Sequence, residues 1–271
     1  IAKDPINVVK ALGHNLSSKA IVHPSKLFGE QRRNSKGWDI TDPVTVEEID
    51  EGRNRYKSHQ WQGGPVLAVE PASDEVVEVR NPANPDDLVG HITHANEADV
   101  DAAITAAEQG FAGWSATSAE DRAACVRKVG DLLEENVHEL FALTTREAGK
   151  SLLDGVAEIR EAVDFSQFYA NEGLRYKDDG DARGIICCIS PWNFPLAIFA
   201  GQILANLAAG NVVGHGLRVE RGPVMEHHTF AQLHGQGHAI VGPVPFGGQL
   251  RDDFQTGGDI HQLVTKRGID D

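Results

Sequence analysis

The sequence predicts an α/β chain that opens a doubly wound parallel sheet, behind an N-terminal linker and a small β-hairpin unit. Three adjoining segments carry that prediction. The run 184–189, Gly-Ile-Ile-Cys-Cys-Ile, is short and continuously apolar, as a buried parallel strand is. Residues 196–209 are apolar nearly all round and stop at Gly210-Asn211, the pattern of a buried helix with its terminator. Val212-Val213 then starts a second strand, so strand, turn, helix and strand follow one another as in a nucleotide-binding sheet.

In chain order, residues 1–64 are rich in turn pairs (Asp4-Pro5, His23-Pro24, Asp42-Pro43, Gly63-Gly64) and are expected to form a linker or arm with one short helix near 44–58. From 65 the pattern is that of a folded domain running to 213. Three β-rich runs, 66–69, 76–79 and 88–92, are broken by Asn81-Pro82 and Asn84-Pro85 and predict a hairpin unit. Asn96 with Asp99, and Ser118 with Asp121, each open an apolar pattern of helical spacing. A third helix is expected from Val137 to Arg146, stopped by Gly149. A fourth runs from Ser151 to about Leu174, with Val156, Ile159, Val163 and Phe168 on one stripe. Residues 214–271 turn abruptly to glycine and histidine and predict no recognisable fold, only weak attachment.

Composition excludes several classes. A chain of 271 residues with 41% hydrophobic content can bury a core. Its formal charge of −15 argues against nucleic acid, whose affinity rests on Lys and Arg neutralising phosphates. No run approaches the roughly 18 apolar residues of a membrane span. The three cysteines, Cys125, Cys187 and Cys188, have neither disulfide-framework nor zinc spacing, which fits a reducing cytoplasm. The first residue is Ile1, consistent with a fragment of something longer.

The chemistry concentrates at Ile189-Ser190-Pro191-Trp192-Asn193-Phe194-Pro195, at the carboxyl end of the first parallel strand, where open α/β sheets bind ligands. An amide side chain there, beside a helix N-terminus, can donate to an oxygen that gains negative charge, and Asn193 is placed to do so. The plainer alternative has Asn193 capping the helix and Trp192 filling a core gap.

This segment, with the apolar helix and Ala-Gly-Asn that follow, resembles the aldehyde dehydrogenase superfamily. The resemblance implies that Asn193 is the catalytic oxyanion donor, and that Ser190, Pro191 and Trp192 line NAD. Arg146-Glu147-Ala148-Gly149-Lys150, the stretch 158–165, and Leu27-Phe28-Gly29 through Gly37 resemble the bifunctional proline utilization A branch. That branch implies oxidation of L-glutamate γ-semialdehyde to L-glutamate, with Glu161 approaching this small aldehyde and Phe194 packing beside its carbon chain. It further implies an upstream proline dehydrogenase domain or a homo-oligomer as partner. On local chemistry alone Glu161 makes a helix-surface contact with Arg160.

Two departures set limits on that resemblance. Where the family places a lysine and proline for the cofactor's ribose, this chain reads Gly214-His215-Gly216-Leu217-Arg218. No match to the family's later phosphate turn, general-base glutamate or nucleophilic cysteine follows, and the three cysteines present fall at core-like positions before Asn193. The sequence therefore reads as truncated, inactive as an isolated chain and weak in NAD binding. The alternative is a non-catalytic association module. No metal site is expected, because Gly235 and Gly237 break the helix that would align His234 with His238.

Overall fold

The computed structural model describes residues 4–13, 21–191 and 193–215. Helix α1 (Pro5–Leu12) and a 3-10 turn at Pro24–Lys26 precede α2 (Pro43–Asn54), so the arm holds more helix than its turn pairs suggest. Asp42 caps α2 by accepting from the Val44 and Thr45 N–H groups, with Pro43 at the first helical position, where its missing N–H costs nothing.

A small sheet follows, made of β1 (Trp61–Gly63), β2 (Val76–Asn81) and β3 (Asn84–Thr93) in the order β1-β3-β2. β2 and β3 form the expected antiparallel hairpin. The first strand is a correction: it is Trp61–Gly63, parallel to Gly90–Ile92 of β3, whereas 66–69 forms no strand. Leu67 is buried there but Ala68 and Val69 are exposed, so that apolar run lies against the surface on one side only. Trp61, Val79, Val89 and Ile92 build a small core with Ala142 and Leu143.

Four helices come next, α3 (Glu97–Ala116), α4 (Ala119–Glu135), α5 (Val137–Ala148) and α6 (Leu152–Arg175). Their starts are set by local chemistry: Asn96 and Asp99 form a reciprocal capping box, and Ser118 and Ser151 accept from the N–H groups of Asp121 and Asp154. α5 ends at Gly149, whose φ of 64° is a conformation glycine adopts without penalty. The parallel pair β4 (Ile185–Cys188) and β5 (Val212–His215) is joined through α7 (Ala197–Ala208), matching Ile185 with Val212 and Cys188 with His215.

The main core lies between α4, α5, α6, α7 and the β4–β5 pair, around Phe141, Leu133, Ile159 and Leu204. Each fully buried aliphatic there removes enough surface from water to contribute about 1.5–3 kcal/mol. Close approach depends on glycine. A Cβ at Gly130 of α4 would fall 2.0 Å from the Ser166 hydroxyl of α6, and one at Gly173 of α6 would fall 2.9 Å from the Ala208 carbonyl of α7. The terminal carbonyls of α7 are satisfied by Trp114 Nε1, which donates to Leu207 O, and by Arg122 Nε, which donates to Ala208 O.

Two burial expectations change. β4 is covered on one side only: Cys188 is buried, while Ile185 and Cys187 are exposed. Phe168 leaves its predicted stripe and is 42% exposed, held instead beneath the Arg32 guanidinium of the arm. The arm crosses α4 and α6 as a strap. Ser35 donates through both its N–H and its hydroxyl to the Asp164 carboxylate, Lys36 N–H donates to Glu134, and Asn171 donates to Gln31 O. Arg33 pairs with Asp131 and Glu134, and Trp38 meets Phe141 edge-on at 5.3 Å. Residues 216–271, where weak attachment and the histidine cluster were expected, lie outside the described residues.

Candidate functional site

Physical constraints at the end of β4 build this site. A helix begins with N–H groups that have no partner in the helix itself. In α7 they are not met by Asn193, and the residue at the N-cap, Leu196, offers no side-chain hydrogen bond. Glu158 of α6 meets them instead. Its Oε2 accepts from Leu196 N at 3.2 Å and Ala197 N at 2.9 Å, and its side chain is 2% exposed. Lys150 Nζ lies 3.0 Å from the other oxygen, Oε1, an ion pair without hydrogen-bond alignment. The same ammonium is 4.9 Å from the centre of the Phe194 ring.

Upstream, the loop is tied to the second turn of α7. Gln202 Nε2 donates to Ile189 O at 3.0 Å, and the Ser190 hydroxyl donates to Gln202 Oε1 at 3.3 Å. Phe194 N closes the turn on Pro191 O at 3.3 Å. Asn193 lies between these ties, exposed, and its side chain makes no hydrogen bond among the described residues. An amide held on a fixed turn, with its donors unspent, can serve an oxygen of incoming substrate.

The expected site residues fall into three groups. Asn193 and Phe194 share this turn and are exposed. Glu161 opens on a groove of about 620 Å³ that it lines with Arg32, Ala157, Arg160, Asp164, Phe165 and Phe168. Neither Asn193 nor Phe194 lines that groove. Burial pushes the Glu161 carboxyl up, and the nearby Glu158 charge pushes the same way. The surface contact with Arg160 is not formed, because the Arg160 Nε points to the Ser35 hydroxyl at 3.4 Å, beside Gly37 of the strap. Ser190 is fully buried, with its hydroxyl spent on Gln202, and Pro191 is exposed. Trp192 lies outside the described residues.

For a dinucleotide, the described residues of this set offer the exposed ring of Pro191, while the Ser190 hydroxyl donates inward to Gln202. Two of the described cysteines, Cys125 and Cys188, offer no ready thiolate. Cys188 is pushed up to about 11 by burial, and burial also raises Cys125. Cys187 departs from the core-like position expected of it, being exposed on β4. Among the described residues no group of three or more His, Cys, Asp or Glu side chains could hold a metal ion, and no helix is long and apolar enough to cross a membrane.

Sequence reading missed Lys150 and Glu158 as parts of the site. Both stood inside quoted segments, and one signal was present: Glu158 is a lone charge on the apolar stripe of Val156, Ile159, Ala162 and Val163. Nothing local could say that its partners are backbone N–H groups 38 and 39 residues away.

The model of the Aldehyde dehydrogenase family matches residues 68–215. The bifunctional protein PutA of Klebsiella aerogenes is 38% identical over 223 residues, covering 79% of this chain and 17% of that protein. The 1-pyrroline-5-carboxylate dehydrogenase of Geobacillus sp. (strain WCH70) is 35% identical over 155 residues, covering 52% of this chain and 30% of that one. A solved 1-pyrroline-5-carboxylate dehydrogenase from Thermus with bound NAD superposes with a TM-score of 0.64 at 27% identity, over 68% of this chain and 39% of that one. The chain thus spans less than half the length of each of these relatives.

Proposed function

Because this chain belongs to the aldehyde dehydrogenase family, we propose that it carries the oxyanion side of a site that oxidises L-glutamate γ-semialdehyde to L-glutamate in proline catabolism. The observation that carries this reading is the unspent Asn193 amide on a turn tied at both ends. In such a reaction a thiolate attacks the aldehyde carbon and the carbonyl electron pair moves onto oxygen. The Asn193 Nδ2–H donates to that oxygen, and the Phe194 ring shields the carbon chain from water. Glu161, on the neighbouring helix, faces the amino acid end of the substrate. The names of the Klebsiella and Geobacillus relatives support the substrate class.

Burial raises Cys125 and Cys188, and Cys187 lies on β4 ahead of Asn193, so this reading takes the thiolate from a residue other than these three. The isolated chain is therefore expected to form no NADH from glutamate semialdehyde above a no-protein control. Turnover by the purified chain that Asn193→Ala abolishes would show that the chain supplies its own nucleophile.

NAD is the family's cofactor, and the Thermus neighbour was solved with it bound. With Pro191 as the exposed wall among the described residues, and Gly214-His215 where the family places its lysine and proline, NAD is expected to bind this chain more weakly than about 1 mM. Calorimetry that returned a micromolar constant, around −8 kcal/mol, would require a phosphate site built by other residues.

A second reading, an association module without catalysis, draws on the uncovered side of β4 and its flank, where Ile185 is 38% and Ile189 64% exposed. A further copy of the chain, or a proline dehydrogenase domain upstream of the arm, is the partner proposed for it.

A further inference from the structure

We infer that Lys150 and Glu158 act as a positioning pair that fixes where Asn193 and Phe194 stand; this rests on the oxyanion reading of Asn193. Neither residue touches substrate. Their effect passes through the backbone of one turn.

The argument starts from the cost of burying charge. A carboxylate that is 2% exposed has lost its water and must recover the lost interactions from protein groups. Glu158 does so with two N–H groups at the start of α7 and with the Lys150 ammonium. The helix start carries partial positive charge and Lys150 a full one, so both attract the carboxylate. Lys150 is held in turn. Gly149 ends α5 in the left-handed conformation, and Lys150 N donates to Thr144 O at 3.2 Å, which sets the direction from which the side chain leaves.

The pair therefore touches the turn at three places: the ring of Phe194 and the N–H groups of Leu196 and Ala197. Gln202 holds the other flank, at Ile189 and Ser190. Asn193 is the free residue between two fixed flanks, so its amide direction follows from where the flanks are pinned. The charges also suit the role. Glu158 alone would place an uncompensated anion behind an oxygen gaining negative charge, whereas with Lys150 the pair is neutral and the helix start adds a positive contribution. A structural ion pair would not need its cation to lie against the ring next to Asn193.

The test uses the full chain labelled with nitrogen-15, following the Asn193 side-chain amide, identified by its disappearance in Asn193→Asp, and hydrogen exchange at Leu196 and Ala197. Lys150→Met is expected to move the Asn193 side-chain signals and to lower protection of both amides at least about tenfold, the loss of one charge-assisted contact. Lys150→Arg is expected to restore both, since a guanidinium can pair with Glu158 and lie on Phe194. Should Lys150→Met unfold, Glu158→Gln carries the test. It keeps an oxygen for the two N–H groups and loses the charge, so the Asn193 signals move while the amides stay protected. Folded Lys150→Met, or folded Glu158→Gln in its place, with Asn193 signals at their wild-type positions overturns the proposal, as does failure of Lys150→Arg to restore them. These signals report where the pair sets the Asn193 amide and do not depend on turnover, so the positioning role can fail while the oxyanion reading of Asn193 stands.

Discussion

Replacing Arg146 with alanine is expected to cost about 3–5 kcal/mol of stability, the scale for removing one member of a buried, hydrogen-bonded charge pair. Arg146 is the hub that joins the small sheet to the helices. Its side chain is 10% exposed and forms a fork with Asp87, Nε to Oδ2 at 3.0 Å and NH2 to Oδ1 at 2.6 Å. Its remaining donors reach Tyr56 O, His59 O and Leu88 O, and its guanidinium stacks 5.1 Å from the Trp61 ring. Alanine would leave the carboxylate with Asn81 as its remaining donor and take this donor from three carbonyls together. Lysine should recover only part of the loss, because a single ammonium cannot reproduce the fork.

The same substitution has a pH signature. Hydrogen bonding from Arg146 holds the Asp87 carboxyl below its ordinary value, against burial, which raises it. A depressed carboxyl contributes stability that is present above the unfolded pKa and is lost as pH falls through the folded one. Wild type should therefore keep this contribution at neutral pH and lose it on acidification below the ordinary Asp value of about 4. Arg146→Ala should lack that acid-dependent loss. Urea unfolding of both proteins at neutral and acid pH checks it, and an equal drop in the two would remove Asp87 from the account.

Phe141→Ala is expected to cost a similar amount, about 3–5 kcal/mol, through a cavity that its surroundings cannot fill. The ring is fully buried, the Trp38 indole meets it edge-on at an interplanar angle of 82°, and a Cβ on Gly155 would come 3.4 Å from its Cδ1. Helices α5 and α6 and the strap thus close on one ring. Truncation should lower the midpoint of thermal unfolding by about 10 °C and weaken the near-ultraviolet signal of Trp38. A loss under about 1 kcal/mol would mean that the strap and α6 settle into the space.

How much of this was legible in the sequence depends on how local each determinant is. The helix ends were readable because Asn96, Ser118, Ser151 and Gly149 act within three residues or so of themselves. β4, α7 and β5 were readable because glycine, asparagine and apolar runs mark them in order. β1 was not, since Trp61–Gly63 is a strand only by pairing with Gly90–Ile92, some thirty residues on. The one-sided burial of β4 was equally hidden, because an apolar run carries no mark of which faces are covered. At the candidate site, the place of Asn193 just after a strand was legible. Glu158 left one mark, a lone charge on an apolar stripe, but its backbone partners 38 and 39 residues on were out of local reach, and Arg146 was visible as a motif letter but not as the hub between two cores.

The strap has a bearing on the order of events at the ribosome. Gln31, Arg33, Ser35 and Lys36 emerge early, yet their partners are Asp131, Glu134, Asp164 and Asn171. At roughly 5–20 residues per second, the strap waits on the order of ten seconds for a surface to dock on. During that interval it is an open segment carrying Leu27 and Phe28, which stay exposed in the finished fold, Phe28 beneath Arg32. Docking of the strap is therefore a late step that seals α4 against α6 after those helices have met, and it would register as a slow, arm-specific gain of protease resistance during synthesis.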